Sequence, residues 1–434
     1  MNNPRQLAYE ALVKTEKEGA YSNIALDFLL SKTDCDTRDK AFVSALFYGV
    51  IERKLTLDYQ IEQYVKKPLK SMKSEILTIL RLGAYQILFM DKIPSSAAVN
   101  ESVKLSKKNR LSFASGLINA VLRNIDKNGL ILPSGENYSE YLSVKYSCPI
   151  WLINKWIKEY GKEDTVNILK HSLGAPVNYI KVNNTKITTD ELIRKLESEG
   201  VSSEKTDVDG CLKINLGAKS IENLESFLKG LFHVQDKACQ LCVKALNAKK
   251  GDRVFDLCAA PGGKTYSICE MMTDEGEILS FDIHEHRVGL IKNGAERLGL
   301  KSITALKGDA TIHCEELGFA DSVLCDVPCS GFGIIAKKPE IKYKNPDEIK
   351  QLPQLQLKIL LNGAEYVKAG GRLVYSTCTL SKSENEKVCK RFLENSKNFK
   401  SVPVFDNCSD EYLTLMPHVY DSDGFFIACF ERIK

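Results

Sequence analysis

Cys329 stands in D-V-P-C-S-G-F-G and Cys378 in Y-S-T-C-T, each among small polar residues just after a short apolar run. Buried structural cysteine is the default for this residue type, so one such residue carries little weight. Two of them, with Asp326 three positions before Cys329, suggest a thiolate acting on a bound electrophile beside a carboxyl group. Spacing ranks the two thiols equally. One reaction that needs such a set is methylation at carbon 5 of cytosine, which is not nucleophilic enough to attack a methyl donor. A thiolate that adds to carbon 6 makes carbon 5 enamine-like, and a carboxyl group at N3 absorbs the change in charge. After transfer a base removes the C5 proton and the thiol is eliminated.

A methyl donor needs its own cleft, and the stretch Arg253 to Tyr266, R-V-F-D-L-C-A-A-P-G-G-K-T-Y, could supply it. Val254, Phe255 and Leu257 read as a buried strand that runs into Ala259-Ala260-Pro261-Gly262-Gly263 and then into a helix. Glycines allow close backbone approach, and the helix start offers unpaired N–H groups. The phosphate-loop pattern G-x-x-x-x-G-K-S/T and the dinucleotide pattern G-x-G-x-x-G are both absent. Acidic residues follow the ends of successive expected strands at Asp282, Asp309 and Asp326, with Asp256 inside the first. In an open parallel sheet those ends line one crevice. Asp282, after the second strand, suits a ribose diol; Asp309 suits a base's amino group or a helix cap.

The elements that must position these residues alternate from about 236 onward. A helix over Ala238 to Ala248 leads to strand Val254 to Leu257, then strands Glu277 to Phe281, Ser302 to Leu306, Ser322 to Cys325 and Arg372 to Tyr375. The second of these is followed by a helix to Leu298, and a long helix spans Leu352 to Lys368. Val404 and Ile427 to Phe430 supply late strands. The pattern predicts an α/β fold with a mostly parallel, Rossmann-like sheet covered on both faces, over 236-434. A small α+β segment over 140-235 precedes it. There Trp151, Leu152, Trp156 and Ile157 mark a helix ending near Gly161, and Val177 to Val182, Lys186 to Thr188 and Leu212 to Leu216 read as strands around a helix from Glu191 to Glu199. Tyr179, Lys181 and Lys186 form a surface that could stack on bases, or belong to that segment's core.

Residues 1-135 are helical almost throughout. Leu7, Ala8, Ala11 and Leu12 share a face that Gly19 ends, and Ile76, Ile79, Leu80, Gly83, Ala84, Ile87 and Leu88 make the stripe expected at the bundle centre. Pro94-Ser95-Ser96 reads as a turn and N-cap. Basic clusters recur at Arg53-Lys54, Lys66-Lys67, Lys70 and Lys73, and Lys104 to Arg110. Any one of them is ordinarily a solvated face; together they fit contact with RNA or ribonucleoprotein.

Bulk properties set wide bounds. The 434 residues are long for one core, and a formal net charge of +4 permits a polyanionic partner without requiring one. No apolar run approaches a membrane span, and Met1 to Arg5 lacks a signal-peptide core, so a cytoplasmic protein without membrane contact is expected. Fourteen scattered cysteines contain a single C-x-x-C, Cys239 and Cys242, whose helical apolar surroundings favour packing. Neither a disulfide framework nor a metal site is expected.

D-L-C-A-A-P-G-G-K-T at 256 to 265, D-V-P-C-S-G-F-G at 326 to 333 and Y-S-T-C-T-L-S-K-S-E-N-E at 375 to 386 closely resemble the signatures of the S-adenosylmethionine-dependent RNA cytosine-5 methyltransferases of the NOP2/Sun class. F-H-V-Q-D-K-A-C-Q-L at 232 to 241, K-K-P-E-I-K-Y at 337 to 343 and Asp423-Gly424-Phe425-Phe426 extend the resemblance, and the N-terminal helices resemble a NusB-like RNA-binding module. The resemblance implies Cys378 as nucleophile, Cys329 as the thiol that resolves the adduct, and Asp326 as a contact to the cytosine. It implies S-adenosyl-L-methionine bound by Cys258, Ala259, Ala260, Pro261, Gly262, Gly263, Lys264, Asp282, Arg287, Asp309 and Asp326, with no metal. Lys264 would pair with the methionine carboxylate or with a neighbouring acid. The combination of modules resembles class members that act on 16S rRNA, with cytosine 967 as the implied target, assembly intermediates of the small subunit as possible partners and no obligate protein partner. Phe332 to Lys344 would border the RNA path, with Lys337, Lys338 and Lys342 as candidate contacts. Val327, Phe332, Ala336 and Cys148 depart from the class pattern, which puts details of RNA contact in question. The same chemistry on tRNA or 23S rRNA, and an RNA-binding assembly factor without catalysis, are the competing readings. Exocyclic-amine methylation fits less well, since Asp-Val-Pro-Cys replaces the Asn/Asp-Pro-Pro-Tyr type of motif.

Overall fold

A computed structural model describes residues 3–18, 26, 28–30, 33, 35–217, 219–406 and 410–433. The chain separates into two units, Met1–Gly174 with Ile335–Tyr343, and Ala175–Ile334 with Lys344–Lys434.

The first unit is helical: α1 (Pro4–Glu18), α2 (Thr37–Glu52), α3 (Lys54–Glu62), α4 (Ser74–Phe89), α5 (Ser95–Lys108), α6 (Ser115–Asn128), α7 (Tyr138–Tyr146) and α8 (Ile150–His171). The stripe Ile76, Ile79, Leu80 and Ala84 makes α4 the centre, packed against α1, α2, α3, α5 and α6. Gly83 permits this closeness, because a Cβ there would lie 2.4 Å from Leu122 and 2.8 Å from Ser102. Arg81 is buried in the same helix with its charge matched: Nε and Nη2 donate to Asp58 at 2.6 and 2.9 Å, and Nη1 donates to Glu16. Pro94 rather than Ser95 occupies the N-cap of α5, and no side chain caps that helix. Gly161, at φ 82°, interrupts α8 as the sequence suggests. The Trp151–Trp156 helix packs with α7 in this unit. Gly19 lies outside the described residues.

The second unit holds two sheets. The smaller is wholly antiparallel, with β1 (Asn178–Val182), β2 (Ser202–Lys205), β3 (Cys211–Asn215) and β4 (Phe232–Val234) in the order β2-β3-β1-β4. Helices α9 (Thr189–Ser198) and α10 (Glu225–Leu228) complete a split β-α-β arrangement. A capping box between Thr188 and Glu191 starts α9, so Lys186 to Thr188, expected as a strand, is a turn and cap instead.

The larger sheet contains β5 (Arg253–Asp256), β6 (Glu277–Asp282), β7 (Ile303–Lys307), β8 (Ala320–Asp326), β9 (Val367–Thr377), β10 (Phe399–Val402), β11 (Tyr412–Leu415) and β12 (Phe425–Arg432). Its order is β10-β12-β9-β8-β5-β6-β7, with β11 pairing β12. Strands β5 to β9 pair in parallel, whereas β12 runs antiparallel to β9. The expected Rossmann-like architecture is therefore present. Strand β12 pairs with β9 along one edge and with β10 and β11 along the other; the late strand expected at Val404 is β10, which ends two residues earlier at Val402, and β11 is unforeseen. Helices α11 (Lys237–Leu246), α12 (Gly263–Met271) and α13 (Glu285–Leu298) cover one face. After α14 (Pro346–Ile349), helices α15 (Leu352–Glu365) and α16 (Glu386–Asn395) supply the opposite cover, and α17 (Pro417–Tyr420) leads toward β12. Alternation explains the two cores: Val254, Leu324 and Val374 face the first group, and Phe255, Val323 and Tyr375 the second. Helix α15 stops before its expected end at Lys368, because Val367 already pairs with Ala320 in the sheet.

Phe430 is fully buried on β12, with its ring 4.8 Å from that of Phe392. Phe430→Ala is expected to cost about 3–5 kcal/mol. The check is the urea midpoint of the transition that reports loss of the large sheet.

Candidate active site

Strand order reverses at β5, whose neighbours are β6 on one side and β8 on the other. Ligands in such sheets occupy the crevice at the carboxyl ends beside this point. Register brings Asp256 level with Ser280 and Leu324, and Asp326 level with Ser376, so residues from four strands meet there.

The turn after β5 is a backbone cradle. Ala259 donates its N–H to Phe281 O at 2.8 Å, and Gly262 donates to Ala259 O at 2.8 Å. Gly262 has φ 113°, and a Cβ on it would lie 2.3 Å from the Tyr266 hydroxyl and 2.4 Å from its ring; glycine is required twice over. Helix α12 opens at Gly263 with no side-chain cap, leaving its first N–H groups and positive dipole end to an anionic ligand group. Arg287 braces the turn, donating to Ala260 O at 2.9 Å and pairing with Asp282 at 3.1 Å. Asp282 also accepts from the His284 N–H at 3.0 Å. These residues fit a ligand with a carboxylate near the helix start and hydroxyls near Asp282. Asp309 uses Oδ1 to accept from the Thr311 N–H and hydroxyl, both at 2.8 Å, which holds its carboxyl below the usual range. That is a turn contact, not a helix cap.

The two thiols meet at the crevice: Cys329 Sγ lies 3.3 Å from Cys378 Sγ. Cys329 is pushed well above the ordinary thiol range, first by its hydrogen bond with Cys378, then by burial and by the charges of Cys378, Glu384 and Asp326. Beside them Asp326 accepts from Ser376 Oγ at 2.8 Å and from Lys264 Nζ at 2.7 Å. Burial opposes the charge on Lys264, but Asp326 outweighs it and holds the ammonium well above its usual range. Of the two readings open for Lys264, the structure contains the contact to a neighbouring acid. Gly333 closes the floor, donating to Cys378 O at 3.0 Å and accepting from Gly424 N at 2.9 Å. Any Cβ at Gly333 would overlap the Gly424 carbonyl.

Other expectations require correction. Lys342 is fully buried in the first unit, donating to Glu52 O at 2.6 Å, and burial pushes it down to about 8; it has no surface to offer RNA. Tyr343 donates to Ile51 O at 2.9 Å, so this short basic segment is an anchor. Phe332, Val327 and Cys148, which depart from the class pattern, are buried packing residues. Tyr179 is buried, with its hydroxyl donating to Asp421 O at 2.6 Å, and Lys186 caps the carbonyls of Lys229 and Arg297. Neither forms a stacking surface. Cys242 is core, and no cluster of metal-ligating side chains occurs among the described residues. No helix among them is long and apolar enough to cross a membrane.

Sequence reasoning missed Ser376, Gln356, Glu384 and Asn385. All four are buried polar residues of the thiol loops or their supports. Glu384 and Asn385 lie inside a stretch quoted above, but an acid at the start of a helix reads as a solvated residue.

Sequence comparisons match residues 243–431 to the family described as 16S rRNA methyltransferase RsmB/F, residues 2–127 to the NusB family, and residues 148–218 to the RsmF/B-like ferredoxin-like domain. The chain is 35% identical to the probable ribosomal RNA small subunit methyltransferase B of Bacillus subtilis, over 99% of this chain and 98% of that protein. It is 30% identical to the ribosomal RNA small subunit methyltransferase B of Proteus mirabilis, over 99% of each. Among solved structures, PH0851 superposes with TM-score 0.84 at 29% identity, covering 100% of this chain and 99% of its own. A methyltransferase homolog protein from Pyrococcus horikoshii gives TM-score 0.60 at 27% identity, over 68% of this chain and 99% of its own.

Asp256 is fully buried, and burial pushes its carboxyl up to about 7 against the hydrogen bond from Thr265 Oγ1 at 2.7 Å. An unfolded aspartate titrates near 4, so between about pH 4 and 7 the folded chain holds a proton that the unfolded chain has lost. Stability from this group is full below that window and is lost as pH rises through it. Asp256→Asn is expected to remove the loss, so the melting temperature of the variant gains on wild type from pH 4 to pH 7.5. A constant difference across that range would refute the shift.

Proposed function

The chain belongs to the ribosomal RNA small subunit methyltransferase B family, whose members are 16S rRNA methyltransferases, and from that premise we propose that it methylates carbon 5 of a cytosine in 16S rRNA. The methyl donor is S-adenosyl-L-methionine, the target is cytosine 967, and the path is a covalent adduct between Cys378 and carbon 6. The observation that carries this reading is the 3.3 Å contact of Cys329 with Cys378 beside Asp326.

The donor supplies an electrophilic methyl group; everything else is the work of side chains. The uncapped α12 N-terminus and the Cys258–Lys264 segment would hold its amino-acid end, Asp282 with Arg287 its ribose side, and Asp309 its base side. Cys329 Sγ lies 3.3 Å from Cys378 Sγ, within hydrogen-bond reach of the nucleophile. Cys378 adds to carbon 6 while Asp326, oriented by Ser376 and Lys264, hydrogen-bonds the pyrimidine edge. After transfer a general base takes the carbon 5 proton, the electron pair left behind re-forms the C5–C6 double bond, and the C6–S bond breaks so that Cys378 leaves as the thiolate. The three-part division 1-135, 140-235 and 236-434 gives RNA binding to the first two parts and chemistry to the last. The enzyme works in the cytoplasm on 16S rRNA or a small-subunit assembly intermediate, without a metal, a membrane or an obligate protein partner.

With full-length protein, labelled donor and 16S rRNA, wild type should place one label at cytosine 967. Cys378→Ala is expected to fall below about one-thousandth of that turnover while still binding donor. Cys329→Ala should accumulate a denaturant-stable RNA adduct. Label on tRNA or 23S rRNA but not on 16S rRNA moves the substrate, and undiminished labelling by Cys378→Ala overturns the nucleophile.

A further inference from the structure

Adjacent residues on one short turn reach both thiol loops. Asn385 holds the residues on either side of Cys378: its Oδ1 accepts from Thr377 Oγ1 at 2.6 Å and its Nδ2 donates to Thr379 O at 2.9 Å. Glu384 holds Cys329 in the same way. Its Oε2 accepts from the Ser330 N–H at 2.9 Å and its Oε1 from the Ser330 hydroxyl at 2.7 Å. On the far side of Cys329, Gln356 Nε2 donates to Pro328 O at 2.9 Å and to Glu384 Oε2 at 3.0 Å. The two clamps are joined where Ser330 Oγ and Thr379 Oγ1 lie 2.7 Å apart. Because the Ser330 hydroxyl donates to Glu384, it accepts from Thr379. The turn itself is fixed to the sheet, with Tyr375 Oη donating to Glu384 O at 2.5 Å and both residues' N–H groups reaching Ser381 O.

We propose that Glu384 and Asn385 are positioning residues that set the two thiols separately, Glu384 placing Cys329 and Asn385 placing Cys378. This rests on the assignment of Cys378 as nucleophile and Cys329 as the releasing thiol. Both side chains are fully buried, so their hydrogen bonds are not exchanged with water. Glu384 carries three donors on two oxygens, a load that only a carboxylate accepts. A glutamine there offers one oxygen and turns an N–H₂ toward a donor. The charge of Glu384 also opposes ionisation of the neighbouring Cys329. Asn385 carries no charge and grips both flanks of Cys378 through one amide, which suits a nucleophile whose backbone must stay still during attack.

A general structural role would weaken adduct formation and release alike; separate positioning divides them. The test uses full-length protein, 16S rRNA and donor, reading adduct on denaturing gels and product by label. Glu384→Gln is expected to lower turnover about tenfold or more and to accumulate the stable adduct, as Cys329→Ala does. Asn385→Ala should slow adduct formation by a similar factor, and should do so again when placed on the Cys329→Ala background. If Glu384→Gln does not fold, Gln356→Met releases Pro328 without altering charge and should accumulate adduct to a lesser degree. Equal loss of both steps in the two variants, or no adduct from Glu384→Gln where Cys329→Ala gives it, overturns the proposal. No adduct from Cys329→Ala itself overturns the underlying mechanism, and the proposal with it.

Discussion

The ion pair of Lys264 with Asp326 sets the form of the crevice. Lys264 comes from the turn after the central strand, and Asp326 ends the neighbouring strand with Ser376 of the next strand on its other oxygen. Three strand ends are thereby tied through one carboxylate. Both side chains are only partly exposed, so each charge is shielded from water enough to need the other as its partner. The pair fixes where the cofactor turn stands relative to the loop that carries Cys329.

From that anchor the site is assembled by polar contacts on an apolar base. The sheet is filled on both faces, by Val254 and Val374 toward α11 to α13 and by Phe255 and Tyr375 toward α15 and α16. Toward the carboxyl ends serine, threonine, asparagine and glutamate take over from aliphatic residues, as at Ser376, Thr377, Glu384 and Asn385. There buried polar groups bridge neighbouring segments, as Asn385 joins Thr377 and Thr379. Glycine serves where segments cross without side chains, with Gly333 and Gly424 in backbone contact under Cys378.

Within Ile335–Tyr343 the lysines part company: Lys338 is exposed, whereas Lys342, with Pro339 and Ile341, is buried in the helical unit. Lys342 places its ammonium on the Glu52 carbonyl that ends α2, where the helix leaves carbonyls unpaired. The segment follows the Cys329 loop within a few residues, so the chain itself runs from the thiol loop into the helical unit.

Much of this was legible in the order of residues, because local rules wrote it. Periods of two and three and a half marked the strands and helices, Gly262-Gly263 marked the cradle, and small polar neighbours marked Cys329 and Cys378. Strand ends in a parallel sheet share an edge, so Asp282 and Asp326 could be assigned to one crevice from the sequence alone. Distances and partners were not legible. That Cys329 stands 3.3 Å from Cys378, that Lys264 answers Asp326, and that Glu384 and Asn385 are buried all depend on residues 8 to 62 positions apart meeting across loops. The sequence by itself determined which residues could react and what kind of fold would carry them. Tertiary structure decided which of them touch and which are desolvated, because burial and hydrogen bonding belong to the packed chain and to no single stretch of it.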